Sequence, residues 1–493
     1  MKLYLIGHNC KYAVEQILLT LYPNERPEYP EGQPFGSCAV ISFSRGEHLA
    51  TAKCLITADG KTYHGSAAVP MAELDADELS PARCTQRIVK QAFYRAAVRQ
   101  LGQKPAWGSI TGIRPAKLMV PDLQAGKSPR AAMSAFCKRY DADHSKAQLS
   151  FFAASAGMRV RARLQPKDIC LYVGIPFCPT RCAYCSFVSA SVQKSMHLVE
   201  PFLEALFREM EATAEVIRQL GLRVISVYVG GGTPTTLSAE QLRRLLDALR
   251  CHFDLSHIVE FCVEAGRPDT ITEEKLRALR EGGVDRVSIN PQSMNPQVLK
   301  NIGRSHSVED ILAAYESVRR VGGMQVNMDL IAGLPGDSVE SFSHTLDQIF
   351  AFEPENITVH TLAHKKGTAI TLSGAEHMDA ADVGQMLMET HNRMMNLGYF
   401  PYYLYRQTFT AGGYENVGWC RKDYENLYNV CIMEELCSII ALGGGASTKL
   451  VAPTGRIERI FCPKYPQEYI GGIEKICMDK YKIKEFYDAI SAQ

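Results

Sequence analysis

Several features are scarce or missing in this 493-residue sequence, and each absence narrows the kinds of protein it can encode. No uninterrupted apolar run approaches the roughly 20 residues needed to span a bilayer. Lysine and arginine (54) nearly balance aspartate and glutamate (53), so no global field favours nucleic acid or an anionic membrane. No small-residue cleavage site follows the apolar stretch at the amino terminus, which we interpret as a β-strand and not as a signal peptide. We therefore expect a cytoplasmic protein with no membrane span and no nucleic-acid partner.

Cysteine, by contrast, is plentiful, with 16 residues. In a chain of this length without a signal peptide, we expect free thiols in a reducing compartment and not a disulfide framework. Most of them are expected to be small buried apolar side chains. This interpretation applies to Cys38, Cys54, Cys251, Cys262 and Cys437. Only three cysteines have the spacing of metal ligands.

Six β–α units follow one another in the middle of the chain. Their predicted strands are 169–175, 224–229, 258–265, 285–290, 324–333 and 356–363. Amphipathic helices separate them, and one helix begins with a capping-box signature, Ser238 followed by Gln241. Apolar strands alternating with helices predict the α/β class, with a parallel sheet covered by helices. Six units instead of eight predict a partial (β/α)6 barrel, in which chemistry gathers at the carboxyl ends of the strands.

A chain of this length is expected to form two or three domains. Residues 1–165 are predicted to be an α+β domain, because strand-like runs precede helices there. The runs are 38–44, 49–57 and 62–69, and the helices lie near 82–102, 115–125 and 130–163. The partial barrel is assigned to residues 166–375. Residues 376–493 are predicted to be a mainly helical region that covers the substrate.

Three cysteines, Cys178, Cys182 and Cys185, follow the first barrel strand on one loop. Three thiolates so close in sequence can converge on one inorganic centre. A structural zinc ion is the competing interpretation, but it needs a fourth ligand, and neither Phe187 nor Ser189 can supply one. The spacing therefore predicts a [4Fe–4S] cluster with one iron left open, to which the amino and carboxylate groups of S-adenosylmethionine (SAM) can bind.

Other polar or flexible residues end the remaining strands. Gly230-Gly-Gly-Thr-Pro234 follows the second strand, where glycine lets a ligand approach the backbone closely. Asp329 lies among apolar residues of the fifth strand, and such a charge is costly to bury unless it is paired or bound to a ligand. An internal ion pair with Arg304 is the structural alternative for Asp329.

These motifs resemble the oxygen-independent coproporphyrinogen III oxidase branch of the radical SAM enzymes, most closely its HemZ-type dehydrogenases. Residues 169–365 resemble this branch. The long amino-terminal extension and the stretch Tyr402-Tyr-Leu-Tyr-Arg406-Gln most resemble the HemZ type, so that the resemblance covers nearly the whole chain. The shared patterns are Leu-Tyr-Val-Gly-Ile-Pro-Phe-Cys, Gly-Gly-Gly-Thr-Pro-Thr, Val-Glu-Ala, Ser-Ile-Asn-Pro-Gln-Ser and Asp-Leu-Ile-Ala-Gly-Leu-Pro.

The resemblance implies a set of cofactor-binding residues. It assigns Tyr172 and Tyr184 to SAM near the cluster, and Gly231, Gly232 and Thr233 to the amino-acid end of SAM. Glu264 is assigned to a ribose and Ala363 to a further SAM contact. The remaining residues, Gln292, Arg304 and Asp329, are assigned to a nucleoside.

The resemblance also implies the reaction, which is oxidative decarboxylation of two propionates of coproporphyrinogen III to vinyl groups. Its cofactors would be the [4Fe–4S] cluster and one or two SAM molecules, and its partners a tetrapyrrole and an electron donor such as flavodoxin or ferredoxin. For the carboxylates of the tetrapyrrole, Arg406, Arg421 and Lys422 among nearby tyrosines are candidate contacts, as is His364-Lys365-Lys366.

Two departures keep other functions open. The oxidases have a further cysteine where this chain has Phe187, and the related haem chaperones lack it too. The chaperones carry a histidine in the region that reads Glu415-Asn-Val-Gly-Trp419 here. A haem-delivering protein and a radical SAM enzyme that acts on haem therefore remain alternatives.

Overall fold

The computed structural model of the chain describes residues 1–76, 80–365, 367–374, 378–407 and 410–491. Lys366 and the predicted domain boundary at 375/376 lie outside these ranges. The chain divides into two units, Met1–Phe151 and Phe152–Gln493. Among the described residues, no helix is both long and apolar enough to cross a bilayer.

The first unit is a four-stranded sheet covered by helices. Its strands are β1 (Lys2–Ile6), β2 (Cys38–Arg45), β3 (Leu49–Ala58) and β4 (Lys61–Pro70), paired in that order. Its helices are α1 (Lys11–Leu21), α2 (Met71–Leu74), α3 (Ser80–Leu101), α4 (Val120–Gln124) and α5 (Pro129–Tyr140), and α6 (His144–Arg161) crosses into the second unit. The strands at 38–44, 49–57 and 62–69 are confirmed. The single helix predicted over 130–163 is wrong, because the chain leaves helical geometry at Asp141, whose φ is 55°.

The second unit contains thirteen of the described strands. They are β5 (Asp168–Ile175), β6 (Phe177–Cys178), β7 (Ala190–Ser191), β8 (Arg223–Gly231), β9 (Glu260–Glu264), β10 (Arg286–Ser288), β11 (Gln325–Ala332), β12 (Asn356–Thr361), β13 (Phe400–Arg406), β14 (Glu415–Cys420), β15 (Ser438–Gly443), β16 (Ser447–Val451) and β17 (Ile457–Phe461).

Its helices begin with α7 (Val192–Ser195), α8 (Val199–Leu220), α9 (Ala239–His252), α10 (Glu273–Glu281), α11 (Pro296–Asn301), α12 (Val308–Val321) and α13 (Val339–Ala351). Six more follow, α14 (Ala369–Leu372), α15 (Ala380–Asn396), α16 (Leu427–Glu434), α17 (Pro466–Gly471), α18 (Ile473–Asp479) and α19 (Tyr481–Ser491). The predicted capping box of α9 is present, with reciprocal hydrogen bonds between Ser238 and Gln241.

The six predicted barrel strands lie side by side in the predicted order. β5, β8, β9, β10, β11 and β12 are parallel neighbours in one sheet. The strands are apolar because helices cover them, and β5 is buried along almost its whole length. The sheet does not close, since its two edges are β13 and β17. The partial α/β barrel is confirmed.

The carboxyl-terminal residues join the same sheet. The mainly helical region predicted there also supplies five strands. β15 adds a seventh parallel strand beside β5. At the other edge β14 pairs antiparallel with β12 and β13 pairs antiparallel with β14, so β13 runs in the direction of the barrel strands. Sequence periodicity gave no indication that these segments continue the barrel sheet, because their partners are strands distant in the chain.

Candidate active site at the carboxyl edge of the sheet

The loop that carries Cys178, Cys182 and Cys185 begins where β5 ends. β6 pairs with β7, with Cys178 opposite Ser191, and the backbone N–H of Cys185 donates to the carbonyl of Cys182 over 3.1 Å. All three thiols are partly accessible. Burial raises the pKa of Cys185, and the neighbouring thiols of Cys182 and Cys178 add to the shift. The three cysteines therefore form one group that solvent and a cofactor can reach.

The glycine turn after β8 lies directly against this loop. The N–H of Gly232 donates to Ile175 O over 2.7 Å, and the N–H of Thr233 donates to Phe177 O over the same distance. The hydroxyl of Thr233 donates to Cys178 Sγ over 3.5 Å. A side chain at position 232 would bring its Cβ within 2.4 Å of Phe177 O, so only glycine fits there.

The loop suits a cluster better than a single ion. Among the described residues, the three thiols do not belong to any group whose ligand atoms all lie within 4.8 Å of one another, which a single ion requires. N–H or O–H donors point at two of the sulfurs, from Thr233 to Cys178 and from Arg267 to Cys182. Three thiolates, spaced more widely than for one ion and supplied with donors, fit a [4Fe–4S] cluster.

Arg304 and Tyr184 meet beside the loop. The Nη2 group of Arg304 donates to the hydroxyl of Tyr184 over 2.8 Å, and its Nη1 group donates to Gly266 O over 2.9 Å. The ion pair with Asp329 that sequence analysis offered as an alternative is therefore wrong. Arg304 instead joins the cysteine loop to the turn after β9.

Glu264 ends β9 and faces the barrel interior. It accepts a hydrogen bond from the hydroxyl of Tyr228 over 2.6 Å. Burial raises the pKa of Glu264 to about 7, against the lowering effect of this hydrogen bond. The carboxyl group therefore titrates near neutral pH and can change its hydrogen-bonding role with modest changes in pH.

Asp329 lies on β11 in a polar group that includes a histidine. Asn327 donates to Asp329 Oδ1 over 2.8 Å, and His360 Nε2 lies 3.8 Å from Asp329 Oδ2. Burial acts to raise the pKa of Asp329, but the nearby His360 and the hydrogen bond from Asn327 hold it below the usual value. The N–H of Gln292 donates to Asp329 O over 2.9 Å, so the backbones of these two residues are in contact.

Tyr172 lies on the first of the six parallel strands, β5, and Ala363 follows the last of them, β12. The ring of Tyr172 lies beside the stacked pair of Tyr228 and Tyr428, whose centroids are 4.5 Å apart, at 6.2 and 6.0 Å from them. Ala363 follows β12 and forms an isolated antiparallel bridge with Thr410. All the predicted cofactor residues thus belong to the barrel strands or to the loops at their carboxyl ends.

Part of the predicted substrate-contact set lies at the wrong edge of the sheet. β14 is antiparallel to β12, with Cys420 opposite Asn356, so Arg421 and Lys422 follow β14 at the amino edge. Arg421 pairs there with Glu353 over 3.3 Å. Arg406 is at the correct edge but is buried, and its Nε group donates to Gly413 O over 2.9 Å.

A second group of cysteines lies away from the predicted loop. The sulfurs of Cys170, Cys431 and Cys437 are buried and lie within 4.8 Å of one another, with 3.7 Å between Cys170 and Cys437. Cys170 is near the amino end of β5, and apolar and aromatic side chains pack around all three cysteines. The interpretation of Cys437 as a core residue is confirmed, as it is for Cys38, Cys54 and Cys262, whereas Cys251 is exposed and its predicted burial is wrong.

Sequence reasoning missed Arg267, Tyr228 and His360. Tyr405, one of the tyrosines near Arg406 that were predicted to face the substrate, completes the polar group, with its hydroxyl 3.5 Å from His360 Nδ1. Tyr228 had a detectable signal, because strand alternation places it on the same face as Gly230. Arg267 lies in a loop three residues after Glu264, where no periodic pattern predicts which way a side chain points.

Comparison with known proteins agrees with this geometry. Residues 172–349 match the radical SAM superfamily. The chain is 40% identical to the oxygen-independent coproporphyrinogen-III oxidase-like protein HemZ of Bacillus subtilis over 385 aligned residues. The aligned region covers 77% of this chain and 77% of HemZ. It is 37% identical over 192 residues to the heme chaperone HemW of the same organism, covering 39% of this chain and 49% of HemW.

A solved structure with a similar fold is the Escherichia coli coproporphyrinogen III oxidase HemN, described as a radical SAM enzyme. The TM-score is 0.51 at 23% identity, over 65% of this chain and 72% of HemN. The fold, the exposed three-cysteine loop and the long match to HemZ lead to the same assignment. This chain belongs to the radical SAM superfamily and, within it, to the family of the oxygen-independent coproporphyrinogen-III oxidase-like protein HemZ.

Proposed function

We propose that this protein is an oxygen-independent coproporphyrinogen III dehydrogenase, which converts coproporphyrinogen III to protoporphyrinogen IX. The observation that carries the proposal is the extent of the match to HemZ. It covers 385 residues at 40% identity, far more than the 172–349 core that defines the superfamily, whereas the matches to HemW proteins cover 192 to 306 residues at 37% identity or less. Similarity outside the shared core favours a function shared with HemZ.

The superfamily uses a [4Fe–4S] cluster and SAM, which together supply a 5′-deoxyadenosyl radical when both are bound. In our proposal Cys178, Cys182 and Cys185 bind the cluster and leave one iron open to SAM. Gly231, Gly232 and Thr233 offer backbone groups to the amino-acid end of SAM.

The nucleoside part of SAM is assigned to the polar residues at the neighbouring strand ends. Glu264, next to Tyr228, accepts from the ribose hydroxyls. Tyr184 and Arg304 form one side of the nucleoside pocket, and Gln292 and Asp329 form another, with Tyr172 and Ala363 as further contacts. The residues suffice for one or two SAM molecules.

For the substrate, the carboxyl edge offers Lys365 and His364, which follow β12 there. Arg406 ends β13 at the same edge but is buried. Cationic side chains at this edge can bind propionates while the barrel interior excludes water from the radical. Flavodoxin or ferredoxin is the class of donor that we propose for the single electron.

The haem-delivery alternative is less well supported by the geometry. The region Glu415–Cys420 is the fully buried strand β14, and Trp419 packs against His391 with centroids 5.7 Å apart. Trp419 is opposite Ile357, at the amino half of β12. A haem bound near the cysteine loop would not reach this tryptophan.

The test is an anaerobic turnover assay. The protein is reconstituted with iron and sulfide, supplied with SAM, a reductant and coproporphyrinogen III, and analysed by chromatography for protoporphyrin and 5′-deoxyadenosine. We expect both products to form together, and a reaction without SAM is the control. Deoxyadenosine without protoporphyrin would overturn the proposed substrate, and haem would then replace coproporphyrinogen in the same assay.

A further inference from the structure

Arg267 is a buried cation beside the cysteine loop. It lies in the loop after β9, three residues beyond Glu264, and only 3% of it is exposed. A buried charge needs a counter-charge or directed hydrogen bonds, and Arg267 has both.

The contacts of Arg267 use all of its nitrogen atoms. Its Nε and Nη2 groups donate to the two carboxylate oxygens of Asp269, each over 3.0 Å, and Nη2 also donates to Ser305 Oγ over 2.8 Å. Its Nη1 group donates to Thr180 Oγ1 over 3.0 Å and approaches Cys182 Sγ at 3.9 Å. The planar guanidinium is thus fixed with one edge on Asp269 and the other on the cysteine loop.

The charges around Arg267 place its counter-charge on one side of the guanidinium and Cys182 on the other. Burial lowers the pKa of His306 to about 4, and the nearby Arg304 and Arg267 contribute, so His306 is neutral. Asp269 therefore supplies the counter-charge of Arg267, on the side away from Cys182. Cys182 faces the positive edge of the pair.

A donor aimed at a ligand sulfur alters the energy of adding an electron. Reduction of a cluster adds negative charge that spreads onto its thiolates, and hydrogen bonds to those sulfurs are one determinant of the reduction potential. The effect is larger in a buried, poorly solvated setting. Arg267 stabilises the added electron, and Asp269 opposes it.

We propose that Arg267 and Asp269 jointly set the reduction potential of the iron–sulfur cluster held by the cysteine loop, with Arg267 raising it and Asp269 limiting the rise. Arg267 acts on the cluster through Cys182 and thereby tunes the potential at which an electron becomes available to SAM. The step is a one-electron reduction of the cluster by an external donor. The inference rests on the placement of the cluster at Cys178, Cys182 and Cys185, and not on the identity of the substrate.

The experiment is a redox titration of the reconstituted full chain, followed by the electron paramagnetic resonance signal of the reduced cluster. The variants are Arg267→Met, Arg267→Lys and Asp269→Asn, with Arg244→Met as the control at an exposed ion pair. We expect Arg267→Met to lower the equilibrium constant for reduction about tenfold, or about 59 mV for one electron. Asp269→Asn should shift it the opposite way, Arg267→Lys should lie between wild type and Arg267→Met, and Arg244→Met should leave it unchanged.

The opposite signs distinguish tuning from simple structural damage. Shifts in the same direction for Arg267→Met and Asp269→Asn, or no shift in either, would overturn the proposal. If Arg267→Met does not hold iron, the proposal is tested by the direction in which Asp269→Asn and Arg267→Lys shift the reduction potential. It stands only if Asp269→Asn raises the potential and Arg267→Lys lowers it. A wild-type cluster that titrates normally in a protein inactive on coproporphyrinogen would overturn the proposed function and leave this inference standing.

Discussion

At the scale of single residues, the two groups of three cysteines differ in what surrounds them. Cys178, Cys182 and Cys185 are partly accessible, and Cys178 and Cys182 receive hydrogen bonds from Thr233 and Arg267, respectively. The sulfurs of Cys170, Cys431 and Cys437 are closer together but are enclosed by apolar and aromatic side chains. Proximity of sulfur atoms alone does not identify the cluster ligands, because a cluster also needs access and room for SAM.

The first prediction separates the two groups. Cys182→Ala should lower the bound iron of the reconstituted protein from about four atoms per chain to nearly none and abolish SAM cleavage, because one ligand of the cubane is lost. Cys437→Ala should retain iron and cleavage. The measurements are iron and sulfide content and 5′-deoxyadenosine. Loss of iron in Cys437→Ala with an unchanged circular dichroism spectrum would contradict the assignment.

The second prediction concerns pH and Glu264. Its pKa of about 7 implies that the carboxylate, which in our proposal accepts from ribose hydroxyls, forms only as the pH rises through neutrality. Glu264 should therefore add a rise in SAM affinity through that range, which Glu264→Gln lacks. The difference between these two proteins also cancels the titration of SAM itself.

Tyr228→Phe sharpens the same experiment. The hydroxyl of Tyr228 lowers the pKa of Glu264, so its removal should move the rise in affinity to higher pH. Equilibrium dialysis with labelled SAM gives the dissociation constants. Parallel pH profiles for wild type and Glu264→Gln would show that the carboxylate does not contact the ribose.

At the scale of elements, α8 shows how a helix anchors the strand beside the cysteine loop. Glu209 is fully buried on α8, where it pairs with Lys480 over 2.6 Å and accepts from the hydroxyl of Tyr469. It also accepts from the N–H of Gly443 over 2.7 Å. A Cβ at position 443 would approach Gly174 O to 2.2 Å, so the ends of β15 and β5 are held in close contact.

The third prediction tests this buried pair. Lys480→Met should destabilise the protein by about 3–5 kcal/mol, because it leaves the carboxylate of Glu209 buried without its cation. The double variant Glu209→Gln with Lys480→Met should recover much of that loss, since no charge remains unpaired. Urea unfolding monitored by circular dichroism measures both, and equal losses in the two proteins would show that the pair contributes by packing alone.

At the scale of the whole molecule, the predicted cofactor site belongs to one of the two units. Every residue assigned to the cluster or to SAM lies between positions 172 and 363, inside Phe152–Gln493. The first unit has an apolar core of its own, formed by residues from Leu3 to Ala97. We therefore expect the second unit to bind the cofactors without the first.

The fourth prediction is that a chain starting at residue 142, which retains α6, binds the cluster and cleaves SAM at a rate within a few-fold of the full-length protein. Its iron content and 5′-deoxyadenosine production are compared with those of the intact chain. A truncated protein that holds iron but no longer cleaves SAM would assign the first unit a role in catalysis. The coproporphyrinogen assay on the same protein then asks whether that unit affects substrate conversion.

The sequence by itself determined the local features and the order of the barrel. The six strands, the capping box of α9 and the three-cysteine loop depend on residues close together in the chain, and each follows from periodicity, capping or ligand spacing. Parallel strands connected by helices also bring their carboxyl ends to one edge, so the positions of the site residues after their strands were enough to predict that they gather there.

Only the tertiary structure decided which distant residues meet. The pairing of Arg304 with Tyr184, the contact of Arg267 with Cys182 and the burial of Glu209 against Lys480 join residues more than 80 positions apart. The antiparallel direction of β14 placed Arg421 at the opposite edge from the cysteine loop. The physical reason is that hydrogen-bond partners and strand direction depend on long-range pairing, which the pattern of apolar residues within one segment does not specify.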